Sequence, residues 1–194
     1  ELGYVYVDTG AMYRAMALYL LRLGVSPEDS DKIAKACMQA DISIEYQKGE
    51  QVVLLNGENV NAFLRTEEVG NMASYSSAVS AVREKLVELQ RKLAKTTDVV
   101  MDGRDIASVV LPDADVKVYL TASSHTRAKR RYMELIEKGE TADLEKIEQD
   151  IIERDYRDMH REHSPLVQAE DAVLIDSSNL TIEEVTERIL ALCR

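Results

Sequence analysis

The chain is short of positive charge, carries almost no cysteine, and holds no long apolar run. Only 24 Lys and Arg stand against 35 Asp and Glu, a formal net charge of −11, which opposes nonspecific adhesion to nucleic acid or to an anionic membrane. Neither is expected as a partner, although a local arginine pocket for a small anion is compatible with this balance. No stretch approaches the roughly 20 apolar residues that span a bilayer, and no basic segment leads into an apolar one near Glu1. A soluble, cytoplasmic protein is the expectation. Cys37 and Cys193 each lie inside an amphipathic helical pattern and read as reduced thiols without chemistry. No Pro-, Gly- and Ser-rich linker, internal repeat or low-complexity tract divides the chain. With 194 residues, 45% of them hydrophobic and 30% charged, it can bury a sizeable core without disulfides or structural metal.

What is present is an alternation of apolar strands and amphipathic helices. Tyr4-Val5-Tyr6-Val7, Asp98-Val99-Val100-Met101, residues 116–120 and Ala172-Val173-Leu174-Ile175 are apolar on both faces, the pattern of parallel strands covered by helices on two sides. Three of them end in polar turns, Asp8-Thr9-Gly10, Asp102-Gly103-Arg104-Asp105 and Asp176-Ser177-Ser178-Asn179. In open α/β sheets, ligands collect outside the carboxyl ends of strands. Met12, Ala15, Met16, Tyr19 and Leu23 predict a helix over 11–23, stopped by Gly24, and Val82, Leu86, Leu89 and Leu93 predict another over 81–95. A third starts at a Ser123 or Ser124 cap and ends before Gly139, and Thr181 caps a last one with Ile182, Val185, Ile189 and Leu190 inward. This order fits an α/β fold with a doubly wound parallel sheet flanked by helices. Residues 42–46 and 51–55 interrupt it as an antiparallel hairpin with a four-residue loop, 47–50. With the polar helix that follows, the hairpin predicts an inserted lobe over 36–85, leaving 1–35 and 86–194 as the core.

The residues that could carry chemistry are mainly arginines, which outnumber lysines 14 to 10. Arg14 falls on the first turn of the helix after Asp8-Thr9-Gly10, and Arg104 lies in the turn after the second strand. At about 100° per residue, Arg154, Arg157, Asp158 and Arg161 fall within an arc of roughly 100° on one helix. A solvated face laced with ion pairs is the bland reading of such a run. Three features argue against it. Leu144, Ile147 and Ile151 form an apolar stripe upstream that fixes where the arginines point; arginine rather than lysine suits bidentate contacts to phosphate; and Asp158 could accept two sugar hydroxyls. The Asp102-Gly103-Arg104-Asp105 segment can be explained as a plain turn, but its density of charge at a strand's carboxyl end favours a site. His160 and His163 lack companions at metal-ligand spacing.

Taken together these motifs resemble the bacterial cytidylate kinase family, nucleoside monophosphate kinases of the P-loop class. The matching segments are Asp8-Thr9-Gly10-Ala11-Met12-Tyr13-Arg14, Arg65-Thr66-Glu67-Glu68-Val69, Asp102-Gly103-Arg104-Asp105, Leu111-Pro112-Asp113-Ala114, Arg154-Asp155-Tyr156-Arg157-Asp158 and Ser164-Pro165-Leu166, in family order over essentially the whole chain. The resemblance implies phosphoryl transfer from ATP, with Mg²⁺, to CMP or dCMP. It implies that Arg14, Arg104 and Arg161 bind the CMP phosphate, with Thr9 also on the substrate side. Arg154 and Asp158 would hold the ribose, and Ser74, Arg83 and Asp105 would read the cytosine edge. Arg157 is implied to reach the transferring phosphoryl group and ATP as a lid near 133–153 closes, which places Arg104, Arg154, Arg157 and Arg161 in the catalytic set. A monomer is expected.

One element of that family is not in these 194 residues. The pattern G-x-x-x-x-G-K-[ST], whose main-chain N–H groups cradle nucleotide phosphates, needs a Gly-Lys pair, and none occurs. The resemblance therefore implies a strand and loop of about two dozen residues ahead of Glu1, the strand lying between those at 98–101 and 116–120. It implies that the 194 residues alone do not position ATP productively. Two rival readings stay open: a kinase for another acceptor such as UMP, and a catalytically silent module that binds CMP.

Overall fold

The computed structural model describes residues 2–193, which divide into two compact units between Ile106 and Ala107. The first runs β1 (Val5–Asp8), α1 (Thr9–Arg22), α2 (Ser30–Cys37), β2 (Ile42–Gln47), β3 (Glu50–Leu55), β4 (Glu58–Asn59), a 3₁₀ turn (Asn61–Phe63), α3 (Glu67–Ser76), α4 (Ser80–Ala94) and β5 (Val99–Asp102). A π-helical turn, Ile106–Val110, follows. The second unit continues with β6 (Val118–Thr121), α5 (Ser124–Glu137), α6 (Leu144–His160), β7 (Val173–Asp176) and α7 (Ile182–Leu192).

The parallel pairs that the apolar runs predict are present. β1 pairs with β5 in the register Val5↔Val99 to Asp8↔Asp102, so two aspartates end side by side at the carboxyl edge. β6 pairs with β7 from Val118↔Val173 to Thr121↔Asp176. The strands are less covered than their composition predicts: Val100, Leu120 and Leu174 are about half exposed, so apolar character on both faces is not matched here by burial on both faces.

The core of the first unit is built on α1. Its buried face, Ala11, Met12, Ala15, Met16, Ala17 and Leu20, recurs at helical spacing and packs against α3, α2, α4 and β3. Leu23, expected inward, is exposed, because α1 ends at Arg22 and the chain turns away through Gly24 at φ +67°. The hairpin loop is two residues, Lys48-Gly49, not four. Both take positive φ, +55° and +84°, the turn whose twist matches that of the strands it joins. Lysine seldom adopts that conformation, so residue type alone does not mark the tighter turn. Asn56-Gly57 repeats the geometry and leads into β4.

In the second unit Ser123 caps α5 and Asp143 caps α6 through main-chain N–H groups. Thr181 and Glu184 close a reciprocal capping box on α7. The expected inward face of α7 is only partly so: Val185, Ile189 and Leu190 are half-buried and Ile182 is 82% exposed. Periodicity assigns the apolar side of a helix, but burial also needs a surface packed against it.

Gly103, just after β5, has no room for a side chain. A Cβ there would sit 2.5 Å from Thr9 Oγ1 and 2.9 Å from the Ile106 side chain. Gly103→Ala is expected to cost about 1–3 kcal/mol by forcing the turn off the start of α1. A lowered thermal midpoint would show it; an unchanged midpoint would show that the turn can yield.

Candidate active site

The carboxyl ends of β1 and β5 concentrate polar groups. Asp8 is the N-cap of α1: its Oδ1 accepts from Ala11 N–H at 2.9 Å and its Oδ2 from Arg14 Nη2 at 2.8 Å. Thr9, buried, donates its hydroxyl to the Asp102 carbonyl at 2.6 Å and so ties the first turn of α1 to β5. Arg14 is about a quarter exposed, and its Nε is buried without a hydrogen-bond partner among the described residues. The Tyr6 hydroxyl donates to Asp102 Oδ1 at 3.1 Å. Loss of water around it, then the neighbouring Asp8 charge, push the Asp102 carboxyl above the usual carboxylate range, although the Tyr6 bond and Arg14 oppose this. Desolvation, with the Asp102 charge and hydrogen bond, pushes Tyr6 up to about 12. Tyr6 therefore stays a neutral donor at physiological pH.

A second group lies where α3 hands over to α4. Arg83 and Asp105 form a buried ion pair through Nη2 and Oδ2. Arg83 Nη1 also donates to the Ser77 carbonyl at 3.2 Å, and the guanidinium lies 5.4 Å from the centroid of the Tyr13 ring. Ser74 stands one turn before Ser77 on α3, whose carbonyl accepts from the Ser77 hydroxyl at 3.0 Å. The hydroxyl of Ser74 and the Nε of Arg83 are both buried without a hydrogen-bond partner among the described residues. Native interiors rarely leave such groups unmatched, and a polar ligand is one reason they do. Arg104 is half-buried in the turn between β5 and Asp105. The first unit thus carries Thr9, Arg14, Ser74, Arg83, Arg104 and Asp105.

The second unit carries the others. Asp158 is buried on the last turn of α6, while Arg154 and Arg157 are exposed on the same helix. Arg161 is not on the helical face that its spacing predicts. The helix ends at His160, and Arg161 is its C-cap with extended backbone. Its side chain nonetheless returns to within 3.7 Å of Asp158 Oδ1 and donates through Nε to the Ser164 carbonyl at 2.7 Å. Ser164 holds a left-handed φ of +51° that turns its carbonyl toward this contact. α6 is fixed on α5 by Arg127–Asp155 at 2.6 Å and by Ser124 and His125, both on Glu148. Arg130 joins α5 to the turn after β7, donating to the Ser177 carbonyl at 2.7 Å.

Three polar residues at the strand ends were not singled out from the sequence as site residues. Asp102 sits in the charged turn after β5, but nothing in one sequence separates its carboxylate from that of Asp105. Tyr6 reads as a strand apolar. Gln51, whose side chain bonds the main chain of Asp8, is an ordinary polar residue in a hairpin. Among the described residues no group of three or more His, Cys, Asp or Glu side chains could hold a metal ion, and no helix is long and apolar enough to cross a membrane.

Comparison with known proteins covers the chain end to end. A family model described as cytidylate kinase matches residues 1–194. A cytidylate kinase of Caldicellulosiruptor saccharolyticus is 48% identical over 192 residues, 99% of this chain and 85% of that protein. One of Lactobacillus johnsonii is 49% identical over 189 residues, 97% of this chain and 82% of that protein. One of Geobacter sp. is 48% identical over 187 residues, 96% of this chain and 80% of that protein. With half its residues shared across almost its full length, and with paired guanidinium and carboxylate groups at its strand ends, the chain belongs to the cytidylate kinase family.

Proposed function

We propose that this kinase transfers the γ-phosphoryl group of ATP to CMP or dCMP, giving CDP or dCDP and ADP. The observation that carries the choice of acceptor is the buried Arg83–Asp105 pair, with the unmatched Ser74 hydroxyl on the adjoining helix. Cytosine presents an amino donor beside ring acceptors, so a carboxylate next to a guanidinium is its chemical complement. UMP, which offers a carbonyl where CMP has the amino group, would set an acceptor against the Asp105 carboxylate. A silent CMP-binding module is the weaker reading, since relatives at 48–49% identity are named as kinases.

The remaining roles follow the chemistry of the side chains. Arg14, Arg104 and Arg161 take the monophosphate, with Thr9 beside them at the start of α1. Arg154 and Asp158 take the ribose, and Arg157 the transferring phosphoryl group and ATP. No covalent protein intermediate is needed: a monophosphate oxygen attacks the γ-phosphorus in line, and the protein supplies position and positive charge. A lid near residues 133–153 and the lobe over 36–85 close over the substrates and exclude water, which would otherwise compete as acceptor. The reading includes a cytoplasmic monomer that acts on small molecules.

Mg²⁺ binding ATP would neutralise charge on the phosphates. Asp102 fits such an ion: it is a hard oxygen donor at a strand end, and burial, then the Asp8 charge, disfavour its ionised form in the absence of a cation. Mg²⁺ commonly keeps several waters and is bound by one or two carboxylates plus substrate phosphates, so no larger protein cage is required.

Three outcomes are expected. Arg157→Ala lowers kcat by roughly 10²-fold or more while the CMP dissociation constant stays near wild type; a lost affinity with intact kcat would contradict the role. Asp105→Ala erodes the preference for CMP over UMP by at least about tenfold, measured as the ratio of kcat/KM values; an unchanged ratio would move base selection elsewhere. The raised pKa of Asp102 means its ionised form burdens the folded state once pH passes the carboxylate range. Asp102→Asn therefore stabilises the fold at neutral pH by a screened increment below about 1 kcal/mol, read as a raised thermal midpoint, and lowers the Mg²⁺-dependent rate. Loss of stability on this substitution would reverse the sign of the argument.

A further inference from the structure

β1 is hydrogen-bonded to β5 along one edge only. In a parallel ladder alternate residues turn their main-chain groups to opposite edges. Val5 faces β5, donating its N–H to the Asp98 carbonyl at 2.9 Å, so Tyr6 and Asp8 face the other way. No strand pairs with that second edge among the described residues. Two side chains stand in for one. The Tyr46 hydroxyl donates to the Tyr6 carbonyl at 3.0 Å. Gln51 Nε2 donates to the Asp8 carbonyl at 3.1 Å, and Asp8 N–H donates to Gln51 Oε1 at 2.9 Å.

Tyr46 and Gln51 are direct cross-strand partners in the β2–β3 hairpin, so both side chains leave the same face of it. A carboxamide carries a donor and an acceptor spaced much as in a peptide group. Gln51 therefore closes on Asp8 the two-bond ring that a neighbouring strand would supply. The residue it grips is the one on which the phosphate side of the site turns: the Asp8 carboxylate caps α1 and holds the Arg14 guanidinium, and the next residue, Thr9, ties to Asp102.

We propose that Gln51, seconded by Tyr46, is a positioning residue for the monophosphate site. It touches no substrate. By fixing the Asp8 main chain from the hairpin side, it aims the Asp8 carboxylate and, through it, keeps Arg14 preorganised for a phosphate group. The proposal rests on Arg14 being a phosphate ligand, and the experiment separates the two.

The test is a double-mutant cycle read by calorimetric titration with CMP, using wild type, Gln51→Met, Arg14→Ala and the double variant. Methionine keeps the length and removes both hydrogen-bonding groups. Gln51→Met is expected to weaken CMP binding roughly tenfold, and in the Arg14→Ala background to change it by less than about twofold, because its effect passes through Arg14. The rate at saturating CMP should stay near wild type, so that KM moves and kcat does not. Equal penalties in both backgrounds, or a lowered thermal midpoint with unchanged CMP affinity, would overturn the positioning role and leave the Arg14 assignment standing. Failure of the wild-type chain to bind CMP, or unchanged affinity in Arg14→Ala, would overturn that assignment and the proposal with it. Should Gln51→Met not fold, Tyr46→Phe carries the same cycle: a several-fold weakening that disappears with Arg14→Ala supports the clasp, and a persistent one contradicts it.

Discussion

Asp8 joins a strand, a helix and a hairpin through different atoms of one residue. Its main chain continues the β1 ladder and is gripped by Gln51, its Oδ1 caps α1, and its Oδ2 holds Arg14. Across the ladder it lies in register with Asp102. A strand end, a helix start and an arginine are thereby set in one fixed relation by a residue that need not touch the nucleotide. Ion pairs as exposed as Asp8–Arg14 contribute only about 0–1 kcal/mol to stability, so the bond matters for direction more than for holding the fold. Asp102 bears a cost in return: burial first, and then the neighbouring Asp8 charge, raise its pKa. On the proposed reading, the charges that would relieve that cost arrive with the substrates.

The Arg83–Asp105 pair obeys a different balance. Both side chains are 5% exposed, and removing two charges from water costs several kcal/mol per ion, which mutual attraction offsets only with good geometry and further partners. Some partners are present, in the Ser77 carbonyl and the face of Tyr13. The Arg83 Nε and the Ser74 hydroxyl remain unmatched. A pair placed for stability alone would leave no such groups over. A planar base with a donor and acceptors on its edge would satisfy them, which links burial, cost and selectivity in one feature. The pairs between α5 and α6, lying nearer to solvent, serve to fix how one helix lies on the other.

Much of this arrangement is legible in the sequence, and the limits have physical causes. Local rules apply where one residue type decides the structure: Ser123 and Thr181 cap helices, and four short apolar runs become the strands that pair in parallel. They fail where a neighbour decides. Lys48 takes a left-handed turn because the strands on either side require it. Ile182 is exposed because periodicity does not supply a packing surface. Arg161 leaves the helix at its last turn yet returns to Asp158, a contact that angular spacing alone places for a different reason. Gln51 is the clearest case. Its importance comes from bonding a backbone 43 residues away, and glutamine in a hairpin carries no local signal of that.

The measurement that bears most directly on this account is the crystal structure of the enzyme with CMP bound. The account expects phosphate oxygens about 2.7–2.9 Å from the Arg14 guanidinium, with Asp8 still gripping its other side, and the amino edge of cytosine on Asp105 and Arg83. A nucleotide whose phosphate lies away from Arg14, or whose base leaves the Arg83–Asp105 pair untouched, would contradict it.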